Sequence, residues 1–228
     1  MQEKILVGCP TSSYKAYCLG EYAKGLKSLN YNNFDILLVD NSTDLNYLKA
    51  IKQAGLPVIK APYDERARKR IVDSRNILRQ TVLENGYDYF LSLEQDVIPP
   101  PDIIQKLLSH KKSIVSGLYF TYHSYNGKSQ LLEPVLWGKS GKDDLKVLSE
   151  KDISKKGLIE VAACGLGCCL MHKNVLEKIK FRFSNEFEGF DDVWFCYDAF
   201  NSGFKIYADT SMICKHLVSN WSWGNIKV

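Results

Sequence analysis

The chain is predicted to be an α/β protein with a mainly parallel central sheet flanked by helices on both faces. Short, near-continuous apolar runs at residues 5–9, 34–39 and 87–93 alternate with longer stretches of helical periodicity. Those runs stop abruptly at polar or turn residues, as buried parallel strands do when they open onto one edge of a sheet. With 228 residues, 45% of them hydrophobic, the chain is long enough for one substantial core.

Residues 5–10 form the first apolar run, closed by Pro10, and residues 14–29 follow with Leu19, Ala23 and Leu26 at helical spacing. The next strand, 34–40, ends in Asp40, after which Asn41, Ser42, Thr43 and Asp44 supply turn chemistry that caps a helix over 45–53. Gly55 and Pro57 turn the chain into Val58 and Ile59. A charged helix beginning near Asp64 carries Ile71, Leu78 and Val82 and stops at Asn85-Gly86. Residues 87–93 form a strand, 103–108 a short helix and 113–119 a strand. From 121 to 157 the texture changes to Tyr, Ser, Gly and Lys with little periodicity, which predicts a loop-rich flap over the open edge with a hairpin near 135–137. Order resumes with strands near 158–161 and 164–171, a helix over 174–179, a last long helix over 190–200 and a last strand over 205–208. The layout is one domain, with 1–120 forming one half and 158–228 the other.

Thirty basic and 26 acidic residues leave a net charge of +4. That balance is too mild to argue for nucleic acid, and it suits anionic small substrates or a weak contact with acidic lipid at a membrane surface. Met1-Gln2-Glu3-Lys4 leads straight into a strand and no apolar run approaches twenty residues, so a soluble, cytoplasmic protein is expected. The seven cysteines are an odd number. Cys9, Cys164, Cys168, Cys169 and Cys214 sit among apolar neighbours and read as reduced, buried thiols. Cys164, Cys168 and Cys169 with His172 lack a Cys-x-x-Cys pair, which favours packing over zinc.

Three predicted strand ends carry polar groups: Pro10-Thr11-Ser12-Ser13, Asp40-Asn41-Ser42 and Glu94-Gln95-Asp96. Glu94 and Asp96 alternate along the chain, so they can share one cation or one face of a pocket. The competing reading is an acidic pair that opens a loop before a helix starting near Asp102. Arg66, Arg68, Lys69 and Arg70 read as a solvated helix face. Arg75 differs, because Asp73-Ser74-Arg75-Asn76 sets it among small polar groups where a guanidinium can meet a diphosphate. Gly165-Leu166-Gly167 lacks the third glycine of a dinucleotide fingerprint, and close backbone packing explains it equally well. Asp191 and Asp192, shortly after Glu188-Gly189, open a helix where the macrodipole favours carboxylates; they are either a cap or a base with an acceptor contact. His216 follows the last strand, and Trp221 and Trp223 either stack on a sugar or pack the terminus.

In order and spacing these segments resemble a GT-A fold glycosyltransferase, most like family 2, over essentially the whole chain. Residues 5–12 look like the family's first strand and nucleotide loop, and residues 38–44 look like its Val-Asp-Asp-Gly-Ser-Thr-Asp segment without the glycine. Glu94-Gln95-Asp96 stands where Asp-x-Asp belongs, with Glu in place of the first Asp. Asp191-Asp192, followed by Gly203-Phe204-Lys205-Ile206, stands for the Glu-Asp motif and its next strand.

The resemblance implies transfer of a hexose-type sugar from a UDP-, GDP- or dTDP-sugar to a hydroxyl of a glycan, lipid-linked or protein acceptor. Pro10, Thr11 and Asp40 would border the nucleoside, Arg75 would lie near the diphosphate, and Glu94, Gln95 and Asp96 would complete the donor site. Asp96, with His216 and Glu94, would hold Mn²⁺ or Mg²⁺. Asp192 would be the base and Asp191 would position the acceptor. Two alternatives are a sugar-phosphate nucleotidyltransferase, which wants a glycine-rich loop that residues 9–14 do not supply, and a non-catalytic glycan- or nucleotide-binding module. A decayed site should have lost Asp96 or the Asp191-Asp192 pair, and both are present.

Overall fold

The computed structural model describes residues 2–125, 129–141, 144–155, 157–184 and 189–217. The first half alternates as predicted: β1 (Ile5–Thr11), α1 (Leu19–Lys27), β2 (Phe34–Asp40), α2 (Asn46–Gln53), β3 (Val58–Lys60), α3 (Ala67–Glu84) and β4 (Tyr89–Leu93). Next come β5 (Val97–Ile98), α4 (Ile103–Ser109), β6 (Ile114–Leu118), β7 (Phe120–Tyr125), β8 (Ser129–Pro134), β9 (Leu136–Lys139), β10 (Leu145–Val147) and α5 (Glu150–Ile153). The chain continues through β11 (Leu158–Val161), β12 (Ala163–Cys164), β13 (Cys168–His172), α6 (Lys173–Lys178), α7 (Asp191–Asn201), β14 (Ile206–Ile213) and β15 (Lys215–His216).

Eight strands form one sheet in the order β11-β14-β6-β13-β4-β1-β2-β3. The pairs β4-β1, β1-β2, β2-β3 and β6-β14 are parallel, whereas β13 is antiparallel to both its neighbours and β11 to β14. Six strands therefore run one way and two run against them, a mostly parallel sheet of the GT-A-like kind. Successive side chains of β1 explain the layering, since alternate residues of a strand face opposite sides of the sheet. Leu6 packs in one cluster with Leu78 of α3, Val175 of α6 and Phe195 of α7. Ile5 and Val7 pack in the other with Tyr22 of α1, Ile51 of α2 and Ile104 of α4. Helix ends follow the turn chemistry: Gly86 lies at φ 69° just past α3 and Gly203 at φ 80° past α7, conformations that glycine adopts without a Cβ clash.

Several predicted boundaries move. The helix expected over 14–29 begins instead as a 3₁₀ segment, Ser13–Cys18, and becomes α-helical only at Leu19. The segment 121–157 is not loop-rich: β7 and β8 form an antiparallel hairpin, and β9, which begins at Leu136 where a hairpin is expected, pairs antiparallel with the next strand, β10, and with β12. Tyr122, Leu131 and Leu132 are exposed there while Val135 and Leu136 are buried, so the apolar residues of this segment do not follow one alternating rhythm. The final strand is longer than predicted, running to Ile213, because Asp209, Thr210 and Ser211 look like a turn yet lie within β14 at a register irregularity. Among the described residues no helix is long and apolar enough to cross a membrane. Glu188, Trp221 and Trp223 lie outside the described residues.

Candidate active site

The parallel strands deliver their carboxyl ends to one edge, where Thr11 of β1 stands directly beside Asp40 of β2 in register. A cavity of about 240 Å³ opens there. Pro10, Thr11 and Asn41 come from the first two strand ends, Glu94 and Gln95 from the end of β4, and Asp191 and Asp192 from the first turn of α7. Arg70 and Arg75 reach it from α3, and Lys15 and Tyr119 complete the wall.

Arg75 organises this edge. Its guanidinium is almost fully buried and donates to Asp191 Oδ2 at 2.6 Å, Ser92 Oγ at 2.5 Å and Glu94 Oε1 at 3.1 Å. It also lies 5.7 Å from the centre of the Phe181 ring. Burial opposes its charge, but the Asp191 and Glu94 carboxylates outweigh that and hold its pKa above the ordinary value. The planar fork thus binds the strand-β4 end to the first turn of α7. Its donors are taken by protein acceptors rather than presented to an open phosphate site. The neighbouring basic run divides: Arg66 pairs with Asp64 and Lys69 with Asp73 on the surface, while Arg70 is buried and donates to the carbonyls of Asp64 and Glu65.

Asp192 follows Asp191 in the first turn of α7, half-buried at the cavity wall. Burial pushes its carboxyl up to about 7, the Asp191 charge adds to the shift, and the Val193 N–H and Arg75 oppose it. The two neighbours differ in chemistry: Asp191 is paired with Arg75, whereas the Asp192 carboxyl, poised near neutrality at the cavity wall, can exchange a proton.

Behind Lys15 lies a second polar cluster. Asp96 is buried, and its Oδ2 meets the Lys15 ammonium, His216 Nε2 at 3.4 Å and Tyr17 Oη at 3.4 Å. Its other oxygen, Oδ1, is buried and has no hydrogen-bond partner. Burial works against ionisation, but the His216 hydrogen bond and the Lys15 charge hold Asp96 well below the usual carboxylate range. His216 is raised in turn: burial opposes its charge, and Asp96 and the Phe120 carbonyl outweigh it. The ring is fixed by Nδ1–H donating to Phe120 O at 2.7 Å. Lys15 is likewise raised, since Asp96 and Glu94 outweigh its burial. β15 pairs with β5 and places His216 opposite Val97, which brings the chain's last described strand against the turn that carries Asp96.

The remaining predicted residues take structural partners. Asp40 is fully buried and does not line the cavity; Ser42 N–H and Oγ donate to its Oδ1, and Lys60 Nζ donates to Oδ2 at 2.9 Å. Its neighbour Asn41 faces the cavity instead and is tied to Ser74 of α3. Thr11 Oγ1 donates to Gln95 Oε1, and Tyr47 Oη lies 2.8 Å from the same oxygen, so Gln95 latches β1 to α2. Gly165 and Gly167 are close-packing glycines: a Cβ on Gly167 would lie 2.7 Å from Tyr119 Oη, and one on Gly165 closer still. Tyr119 Oη accepts from Gly167 N–H, and its ring meets His216 edge-on at 5.5 Å. All seven cysteines are buried and free, and His172 Nδ1 accepts from Asn174 N–H.

Lys15, Arg70 and Tyr119 are among the cavity residues that sequence reasoning missed, Arg70 because it was read as part of a solvated helix face. Lys15 falls at the start of the stretch expected to be helical, where a lysine carries no distinctive signal by type. Its signal is position, four residues past the end of β1, where a 3₁₀ turn brings the side chain back over the strand ends. For Tyr119 the signal is a strand-end tyrosine that needs a hydroxyl partner, with two glycines elsewhere offering room for it.

Among the described residues no group of three or more His, Cys, Asp or Glu side chains converges on one point. No family model matches the chain, and no curated protein sequence does. Among solved structures, S. aureus TarS matches with a TM-score of 0.58 at 12% identity, over 96% of this chain. The chain spans 36% of the TarS chain. A197 from STIV matches 95% of this chain and 86% of its own at 17% identity, with a TM-score of 0.48 too low to weigh. The likeness to TarS shows the fold, which is glycosyltransferase-like.

Proposed function

We propose that the protein transfers a sugar from a nucleotide-sugar donor, a UDP-, GDP- or dTDP-sugar, to a hydroxyl of a glycan, lipid-linked or protein acceptor. The reading is supported by a glycosyltransferase-like fold whose strand ends and α7 line one cavity. The observation that carries it is Asp192, a cavity carboxylate raised to about 7 beside the Arg75-held Asp191. In a single displacement, Asp192 takes the proton of the acceptor hydroxyl as that oxygen bonds to the anomeric carbon. The bond from that carbon to the donor's diphosphate breaks, its electron pair leaving with the diphosphate, and the anomeric centre inverts. A base with a pKa near the working pH is efficient because it is largely ionised yet still basic enough to accept the proton.

Pro10, Thr11 and Asn41 border the nucleoside, with Asp40 beneath them fixing the loop through Ser42 and Lys60. Gln95 supports Thr11 from behind. Arg75 serves by positioning Glu94 and Asp191. Asp96 and His216 would hold Mn²⁺ or Mg²⁺ once Lys15 is displaced; the reading is supported by Asp96 Oδ1, buried without a partner, and by an imidazole oriented through its other nitrogen by a backbone carbonyl. Such an ion would supply Lewis-acid neutralisation of the leaving diphosphate. Glu94, turned toward Arg75, stands beside that cluster rather than in it.

The test is a panel of UDP-, GDP- and dTDP-sugars with Mn²⁺. At about 100 times Kd, one donor should raise the melting temperature by about 5–11 °C. No shift and no calorimetric binding with any of them would remove the donor assignment.

A further inference from the structure

Lys15 occupies an unusual place between two parts of this site. Its ammonium contacts Asp96 Oδ2, the oxygen that also faces His216 and Tyr17, while Oδ1 of the same carboxylate is left without a partner. Asp96 and His216 do not line the cavity, but Lys15 does. Its side chain is mostly buried, and its backbone is held by Lys15 N–H to Ser12 O and by Gln95 Nε2 to Lys15 O. The stem therefore starts from a fixed point on the 3₁₀ turn, lines the cavity and ends with its ammonium on the Asp96 carboxylate. A buried carboxylate needs a counter-charge at all times, and a diphosphate entering beside Ser12 needs one too.

We propose that Lys15 is the placeholder cation of Asp96 and a diphosphate ligand of the donor, so that a divalent cation and a nucleoside diphosphate bind cooperatively. In the empty site the ammonium neutralises Asp96 and competes with a free divalent ion. When a diphosphate enters, it offers the ammonium a second anion, and the vacated Asp96 oxygen becomes available to the divalent ion. Each ligand thereby removes what opposes the other, which is a positive coupling between them. The proposal rests on the nucleotide-sugar reading given above.

The experiment titrates Mn²⁺, followed by the electron paramagnetic resonance of the free ion, into the full chain with and without UDP, GDP or dTDP. Wild type should bind Mn²⁺ about tenfold or more tightly when the matching diphosphate is present, within the usual 5–150-fold range of coupled ligands. Lys15→Met should bind Mn²⁺ alone about tenfold more tightly than wild type and lose most of the coupling, whereas Lys15→Arg, which keeps the charge, should resemble wild type. Circular dichroism of each variant verifies folding, and Lys15→Gln replaces Lys15→Met if the latter is unfolded. Equal Mn²⁺ affinity of wild type and Lys15→Met without nucleotide, while wild type still binds diphosphate with Mn²⁺, overturns the placeholder role and leaves the donor reading standing. Failure of every diphosphate to bind either protein overturns both.

Discussion

Replacing Arg75 by methionine tests the linkage between the strand-β4 end and α7. Methionine fills much of the same volume but leaves Asp191 buried and unpaired. The Arg75–Asp191 contact joins side chains 1% and 5% exposed, and stripping one partner from such a pair costs about 3–5 kcal/mol. Glu94 adds little, because its side chain is 36% exposed and water screens it, so its share is about 0–1 kcal/mol. Ser92 Oγ keeps its bond to the Leu166 carbonyl, so its loss is minor. The expected total is about 3–5 kcal/mol, equivalent to a drop in melting temperature of about 6–20 °C for a chain of this length. Urea unfolding measures it. The decisive companion is Arg75→Met with Asp191→Leu, which removes the orphaned charge and should recover more than half of the loss. A single-variant loss under about 1 kcal/mol, or a double variant no more stable than the single, would refute the buried-pair argument.

Three further outcomes follow from the same geometry. Asp192 is raised to about 7 in the folded chain from its ordinary 3.8, so the native state binds the extra proton between those values and stability falls as pH rises through that window. Asp192→Asn removes the penalty and should melt higher than wild type at pH 8, with the difference shrinking toward pH 4; thermal melts across pH measure this, and a lower melting temperature at pH 8 would contradict the burial of that charge. Gly167→Ala forces a methyl against Tyr119 and should cost about 1–3 kcal/mol by denaturant unfolding; a neutral effect would mean that Tyr119 moves freely. Asp96→Ala should abolish Mn²⁺-dependent nucleotide binding in calorimetry with the fold kept by circular dichroism, and unchanged binding would remove the metal role.

The parallel part of the fold was legible because β1 and β4 are buried along almost their whole length, β2 is buried at its carboxyl end, and all three end in abrupt polar groups, a pattern that the sheet imposes on sequence. The direction of β13 was not. Residues 168–171 are all buried, and such a run reads identically for a parallel or an antiparallel strand. The β7–β8 hairpin was missed because a small antiparallel pair with exposed Tyr122, Leu131 and Leu132 leaves no hydrophobic rhythm, whereas a hairpin was expected where β9 begins. At the site, sequence order brought Glu94, Asp96, Asp191, Asp192 and His216 to attention, since carboxylates at strand and helix ends stand out. Partner choice was hidden. Arg75 looked available for a diphosphate, yet three acceptors converge on it from β4, the turn after β4, and α7, a meeting that only the three-dimensional fold creates. Asp40 was likewise absorbed by Lys60 of β3, a neighbour set by strand pairing rather than by sequence distance.

The central claim is that Asp192 deprotonates the acceptor in a sugar transfer. It is tested most directly by comparing wild type and Asp192→Asn for transfer from the donor that binds, over pH 5–9. Wild-type kcat/KM should rise with pH to a plateau with a midpoint at about 7, and the variant should bind donor normally yet transfer about 10²–10⁴-fold more slowly with that rise gone. Equal rates and the same pH profile in both proteins would contradict the assignment.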